Sequence, residues 1–537
     1  MVNGKLTTAA AVSLIALTSQ ARAQSSNADA EIAALKQQLR MMEQKLDKLQ
    51  KQTSANTAAA ASAKADAKVA VENANAKATA MPIKATPAPS DVVVSMPGNR
   101  PTICTADNLN CVAITSRLHL DYGAYNFNPN TAATSPQRLD DGINARRARI
   151  GLVGKFLGDW NYYLIYDFGG SSDGFGGTAG FGAAPPLGGT TVGLLPGGGT
   201  SGIENAYLSY TGLNPFGGKL AIEGGYMDTL FTLDEATSSN DIMFMERASP
   251  GIVATNIAAG DFRSAFGARW YTDTFFAGGY LTGPLSGAIH SASSLNPNGS
   301  TEQLGAFVRV AGQAISGPDY SVHLGAGAEF LIDPPHNTVT QAQTLTLSDR
   351  PELRIDPTAL IAGTLANVSG AQVYSAEAAA AYGPFFFQGE YFFFNIQRDA
   401  NNGIPPFGQP NANFQGGYAE ASYVLTGETH KYIPGTAAYG SIVPNDPFSL
   451  TTGGWGALEV AGRISTIDLN TQLGSVNGVA GGRQTVFTAG LNWYANRNVR
   501  IMLNYLHGDV VKQISPTNFG DAGSKFDAIA MRTQVAF

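Results

Sequence analysis

From residue 112 onward, apolar and polar residues alternate with a period of two in many separate segments. In SRLHLDYGAYNF, one parity holds Leu118, Leu120 and Tyr122, and the other holds charged or polar residues. Such alternation is typical of a β-strand with one face against an apolar medium and the other against water. Many segments have room for the roughly 9 to 11 residues that cross a membrane as a strand. The pattern therefore predicts an all-β fold with membrane-spanning strands.

Short and long connections alternate between these segments. Short turns are predicted at 157–159, 214–217, 273–274, 383–384 and 495–498, and long connections include 169–203, 228–262 and 331–372. Outer-membrane barrels place short turns in the periplasm and long loops outside. We therefore predict a 16-stranded antiparallel transmembrane β-barrel over 112–537. The segment 428–454 fits poorly, because it is long but falls on the periplasmic side; it is either an unusual excursion or a missed hairpin.

Composition and the first residues indicate an exported membrane protein. The chain is 44% hydrophobic and 14% charged, with a mean hydropathy of −0.05, which disfavours both a disordered chain and a helical membrane protein. The stretch LTTAAAVSLIALTSQ and the following Ala21-Arg22-Ala23 predict a signal peptide over 1–23. A soluble β-sandwich is the alternative, but it would not need so many large aromatic residues on the face away from its core.

The region before the barrel divides into two parts. A heptad seam predicts an α-helical coiled coil over 24–53, projecting into the periplasm, and its apolar positions are Ile32, Leu35, Leu39, Met42, Leu46 and Leu49. A lone amphipathic helix on the barrel or on peptidoglycan is the alternative. Residues 54–111 form a spacer rich in alanine and proline. In an exported chain, Cys104 and Cys111 are expected to close one small disulfide loop.

Several separated motifs carry a family resemblance. They are RRARIGLVGKFLGDWNYYLIYDF, TSSNDIMFMER, YVLTGE, WGALEVAGR, GLNWY and the closing RTQVAF. Together they resemble the phosphate-selective porin O and P family. The resemblance implies a homotrimer of sixteen-stranded channels, each with its third external loop folded into the lumen. Phe537 likewise resembles the terminal aromatic by which the outer-membrane assembly machinery recognises its clients.

The resemblance also implies a narrow anion site. An arginine pair and a Ser-Ser motif line that site in the family, and they correspond to Arg146, Arg147, Ser238 and Ser239. Lysines are expected beside the Ser-Ser motif in phosphate-selective members, but Glu235 and Asn240 stand there in this chain.

Strand parity places further charges in the lumen, where rings of fixed charge decide which ions pass. The additional arginine candidates are Arg149, Arg263, Arg269 and Arg309, and the candidate counter-charges are Glu223, Glu329, Glu390 and Glu459. Residues 112–537 contain 22 lysines and arginines against 33 aspartates and glutamates, a net charge of −11. Anion selection would therefore have to be local. Two hypotheses stay open, a transverse field in a general porin and true anion selection.

No motif indicates an enzyme, a cofactor site or a nucleic-acid partner. The six histidines are scattered without metal-ligand spacing, and no catalytic triad or HExxH motif stands out. We therefore predict a bacterial outer-membrane porin for passive diffusion of small hydrophilic solutes or ions, with anions such as phosphate as candidates. Its predicted partners are outer-membrane lipid, further copies of itself and, as an additional candidate, peptidoglycan. The alternative is a structural tether between membrane and cell wall, with the barrel as its anchor.

Overall fold

A computed structural model defines the fold and describes residues 92–130, 138–169, 202–260, 262–285, 303–335, 343–399 and 411–537. The predicted signal peptide, the predicted coiled coil and most of the spacer lie outside the described residues. Most of the glycine-rich connection 169–203 does so as well.

The described ranges contain 24 strands and two α-helices. Sixteen strands form the barrel: β3 (Cys111–Pro129), β4 (Gly142–Phe156), β5 (Trp160–Asp167), β6 (Gly202–Leu213), β7 (Lys219–Met227), β8 (Arg263–Tyr271), β9 (Phe275–Leu285), β10 (Leu304–Ser316), β11 (Tyr320–Asp333), β14 (Val368–Tyr382), β15 (Phe385–Arg398), β16 (Ala412–Val424), β19 (Ala457–Thr471), β20 (Val479–Tyr494), β21 (Val499–Val511) and β24 (Ser524–Ala536). The others are β1 (Val92–Ser95), β2 (Thr102–Thr105), β12 (Thr344–Asp349), β13 (Ile361–Ala366), β17 (Tyr432–Ile433), β18 (Ala438–Tyr439), β22 (Gln513–Ser515) and β23 (Asn518–Asp521). The helices are α1 (Leu233–Ala236) and α2 (Ser249–Ala258), and single 3-10 turns occur at Pro97–Asn99 and Pro215–Gly217.

The barrel closes because its last strand pairs with its first. Strand β24 pairs antiparallel with both β21 and β3, and Met531 lies opposite Tyr122. Ile529 is 60% exposed on the outer wall, whereas the next residue, Ala530, is 1% exposed on the inner wall. The alternation in the sequence is thus the alternation between the two faces of the wall. The predicted antiparallel barrel of sixteen strands is confirmed.

A hairpin precedes the barrel, within the region 54–111 that is predicted to be a spacer. Strand β1 pairs with β2, and β2 pairs with the start of β3. Cys104 and Cys111 lie opposite each other in that second pairing and are joined by a disulfide bond. The hairpin therefore extends the sheet beyond the barrel wall at the start of β3. Within the described ranges, no helix is long and apolar enough to cross a bilayer.

Three segments fold into the lumen. The constriction loop (228–260) connects β7 to β8 and contains α1 and α2. The second lumen loop (343–367) contains the β12–β13 hairpin, and several of its side chains are buried, including Leu353 and Leu360. The periplasmic plug (429–442) lies between β16 and β19 and contains β17 and β18. The segment 428–454 is thus a periplasmic connection that enters the barrel.

Candidate functional site in the lumen

The constriction loop lies in the interior and is hydrogen-bonded to the wall at separate places. The Glu390 carboxylate of β15 accepts hydrogen bonds from the backbone N–H groups of Leu233 and Asp234, at 2.8 and 3.0 Å. Four strands further around the wall, Asn504 of β21 accepts from the N–H of Met245 at 2.9 Å. Most side chains of the loop are buried. Because the loop is buried and bonded to the wall at both places, it is a fixed constriction rather than a mobile lid.

Local sequence explains how this loop takes its shape. The Thr232 hydroxyl accepts from the N–H of Glu235 at 2.9 Å and so caps the short helix α1. Pro250 stands in the first turn of α2, where proline is well tolerated because the missing N–H has no helical partner there. The N–H of Ala258 near the end of α2 donates to the Glu329 carboxylate of β11. Both helices are therefore positioned by wall carboxylates.

A β-bulge places the predicted arginine pair together in the lumen. Strands β3 and β4 change register so that His119 lies opposite Arg147, whereas Leu120 lies opposite Ala145. Arg146 is the additional residue, and a bulge re-aims such a side chain. Arg146 and Arg147 are consequently both buried inside the barrel, although they are consecutive residues.

Arg146 is occupied by a carboxylate of the constriction loop. Its Nε and Nη2 donate to the two carboxylate oxygens of Glu246 at 2.8 and 3.0 Å. Arg532 of β24 donates to the same carboxylate at 2.7 Å. Burial alone would raise the pKa of Glu246, but the charges of Arg146 and Arg532 outweigh that effect and hold its pKa well below the usual value. Glu246 is therefore ionised, and it occupies the position where a bound anion would meet Arg146.

Three other predicted arginines also have carboxylate partners. Arg149 contacts Asp167 and Glu204, each at 2.9 Å. Arg269 and Arg309 contact Glu223 and Glu377 at 3.1 and 2.8 Å, respectively. These contacts compensate the positive charges within the wall.

The two remaining arginine candidates make different contacts. Arg147 lies 3.5 Å from the ring of His119, and Arg263 donates to the backbone carbonyl of Asn256 at 2.7 Å. Arg263 thus helps to hold the constriction loop.

The Ser-Ser motif is hydrogen-bonded to Arg117, which is not among the site residues predicted from the sequence. Arg117 of β3 donates to the hydroxyls of Ser239 and, at 3.2 Å, Ser238. Arg117 and Ser238 are only partly buried, as are Asn240 and Asp241 of the same loop. These residues therefore form a partly accessible part of the constriction. The signal in the sequence was the parity of Arg117, which is that of His119 and Asp121.

The predicted counter-charges divide by role. Glu223 pairs with an arginine, whereas Glu329 and Glu390 hold the constriction loop by its backbone N–H groups. Glu459 accepts from Tyr494 at 2.7 Å and contacts His430 of the periplasmic plug at 2.7 Å. The alternation of residues along a strand shows that these glutamates face inward. It cannot distinguish their roles, because several of their partners come from loops.

The second lumen loop and the plug narrow the interior from opposite ends. Glu352 of the second lumen loop accepts from the N–H of Ser249 at 2.9 Å and from Arg463 of β19 at 2.7 Å. At the periplasmic end, Arg309 donates to the carbonyls of Thr436 and Ala437, both at 2.8 Å. In the parts of the chain that the structure describes, no group of three or more histidine, cysteine or acidic side chains could hold a metal ion.

A closed antiparallel barrel of sixteen strands, with an apolar outer wall and loops folded into its interior, defines an outer-membrane porin. The sequence matches the phosphate-selective porin O and P family over residues 112–537. The chain belongs to that family, which indicates an outer-membrane channel rather than an enzyme.

Individual relatives are more distant. The chain is 25% identical to porin O of Pseudomonas aeruginosa over 477 residues, which cover 83% of this chain and 93% of that protein. It is 27% identical to an uncharacterised protein of Caulobacter vibrioides over 515 residues, covering 94% and 89% of the two chains. Among solved structures, OmpT of Vibrio cholerae, an outer membrane protein in a trimer form, matches with 11% identity and a TM-score of 0.42, covering 79% of this chain and 99% of that chain.

Proposed function

We propose that the chain is a general diffusion channel through which small hydrophilic solutes and ions pass down their gradients, without a specific phosphate site. The observation that carries this proposal is the pair formed by Arg146 and Glu246. A phosphate could bind the Nε and Nη2 edge of Arg146 in bidentate fashion only by displacing the Glu246 carboxylate, which already accepts a hydrogen bond from each of these atoms. Breaking a buried ion pair of this kind typically costs about 3–5 kcal/mol.

Compensation of the other arginines supports the same proposal. Fixed charges select ions when their field extends into the lumen. Here Arg149, Arg269 and Arg309 each lie within about 3 Å of a carboxylate. The remaining field is therefore transverse, between neighbouring positive and negative side chains, and it is expected to favour neither sign of ion strongly.

Ion selectivity in planar bilayers tests this proposal. We expect a reversal potential close to zero across a KCl gradient, and we expect added phosphate to leave the chloride current unchanged. The predicted phosphate insensitivity follows from the occupied Arg146. Saturable block of chloride current by phosphate would overturn the proposal and would favour the family's phosphate selectivity.

We also propose that the channel is a homotrimer assisted by the predicted periplasmic coiled coil of residues 24–53. The regular seam from Ile32 to Leu49 supports this assembly, because a short coil strengthens contacts between subunits that are already joined. Deletion of residues 31–53 is expected to lower the temperature at which trimers dissociate on a gel. Trimers of unchanged heat resistance would show that the seam does not hold the subunits together.

A further inference from the structure

The segment that follows the periplasmic plug leaves the lumen and folds over the rim of the barrel. We call residues 445–456 the rim loop. The N–H of Phe448 donates to the carbonyl of Ala495, in the turn between β20 and β21, at 2.7 Å. The indole N–H of Trp493 donates to the carbonyl of Trp455 at 2.8 Å, and the rings of Phe448 and Trp493 meet edge to face at 5.2 Å.

These contacts place the rim loop against the outer wall. Trp493 lies between Asn492 and Tyr494, whose buried side chains point into the lumen. Because successive residues of a strand face opposite sides, Trp493 faces outward. It shares that face with the exposed Phe487 and Leu491. The rim loop thus lies at the periplasmic end of the apolar band.

The rim loop exposes large apolar side chains, although its backbone is held by hydrogen bonds across the loop. Leu450 is 90% exposed and Trp455 is 78% exposed. The backbone is fixed by hydrogen bonds from Ser449 to Gly454 at 3.0 Å and from Gly456 to Asp446 at 2.9 Å. The exposure is therefore a property of an ordered loop. Holding this much apolar area in water is unfavourable.

Two periplasmic turns elsewhere on the rim have the same feature. Leu157, between β4 and β5, is 71% exposed, and Phe216, between β6 and β7, is 97% exposed. Their φ angles are +53° and +54°, in the left-handed region where glycine and asparagine are favoured over bulky residues. Local geometry thus disfavours these side chains, so their presence calls for a compensating contact.

The position of these side chains around the barrel indicates what they contact. The rim loop is the last part of the connection between β16 and β19, whereas Leu157 and Phe216 lie in turns between β4 and β7. One docked protein would cover one arc of the rim. The inner leaflet of the outer membrane surrounds the whole rim, and its interface accepts tryptophan and leucine side chains.

We propose that the rim loop is a membrane anchor that inserts Leu450 and Trp455 into the interface of the periplasmic phospholipid leaflet. The outer end of the plug is then fixed to lipid, while its inner end is fixed to the wall by Arg309 and by His430 with Glu459. This lipid contact is independent of which solutes pass through the channel.

Depth-resolved fluorescence tests the anchor. A Leu450→Cys variant of the full chain is labelled with an environment-sensitive fluorophore and reconstituted into phosphatidylethanolamine and phosphatidylglycerol vesicles. Asp319→Cys, at the polar and exposed tip of the turn between β10 and β11, is the matched control. We expect nitroxide groups near the lipid headgroups to quench the probe at 450 and iodide on both sides of the vesicle to quench the probe at 319.

Two outcomes would overturn the proposal. Iodide quenching of the probe at 450 equal to that at 319 would place the rim loop in water. Protection of the probe at 450 from both quenchers would indicate a protein partner instead of lipid. Bilayer conductance measured on the same labelled variants reports on the channel separately, so a failed anchor and a failed channel are distinguishable.

Discussion

Replacing Glu246 with alanine is expected to destabilise the folded barrel by about 3–5 kcal/mol, the usual effect of removing one partner of a buried ion pair. The substitution removes the carboxylate that Arg146 contacts through two hydrogen bonds and that Arg532 contacts through a third. Arg532 keeps Asp121, to which it donates at 2.7 Å. The local loss is therefore centred on Arg146 and on the constriction loop.

The same variant is expected to become more permeable to anions, because one negative charge leaves the constriction loop inside the lumen. Urea titration of the folded protein and reversal potentials in a KCl gradient measure the two effects. Glu246→Gln keeps the shape of the side chain while removing its charge, so it should reproduce the shift in selectivity with a smaller loss of stability. Asp509→Asn, at an outward-facing position whose side chain is 46% exposed, should change neither. An unchanged reversal potential in both Glu246 variants would show that this carboxylate does not face the ion path.

Replacing the periplasmic plug, residues 429–442, with a short Gly-Ser linker is expected to raise single-channel conductance about two-fold or more, since barrels of sixteen strands otherwise enclose an open aqueous channel. The barrel should still fold, because wall residues that contact the plug keep partners in the wall. Arg309 keeps Glu377 at 2.8 Å, and Arg269 keeps Glu223 at 3.1 Å. Glu459 keeps Tyr494 at 2.7 Å.

A smaller change in the same connection supplies the matched control for this deletion. Replacing residues 450–453, at the tip of the rim loop, with Gly-Ser leaves the plug in place and should leave conductance unchanged. Equal conductance in the plug deletion and the unaltered protein would mean that the plug does not restrict the ion path.

The wall of the barrel was predictable because its signal is local and repeated. Successive residues of each strand point to the outer and the inner face of the wall in turn. The position of a residue such as Ile529 or Ala530 along its strand therefore predicts which face it occupies. Short turns follow from the same pattern, since each one separates two alternating segments. The count of sixteen strands needed no knowledge of any distant contact.

The interior was less predictable because it depends on pairing between distant segments. The bulge at Arg146 breaks the parity rule, and only the register of β3 against β4 reveals it. Glu246 lies 100 residues from Arg146 in the chain, and no local pattern connects the two. The sequence indicated the plug only as a connection that is too long for a periplasmic turn. Its burial inside the barrel depends on wall side chains from other hairpins, such as Arg309, which no local pattern connects to it.

Planar-bilayer recording of the purified, folded protein is the most direct test of the channel function. We predict stepwise increases in conductance as single molecules insert, because the inner wall of the described barrel carries many charged side chains and the loops that narrow the lumen are hydrogen-bonded to that wall. Folded protein that demonstrably inserts into the bilayer and yields no stepwise conductance would contradict the channel and would favour a structural tether.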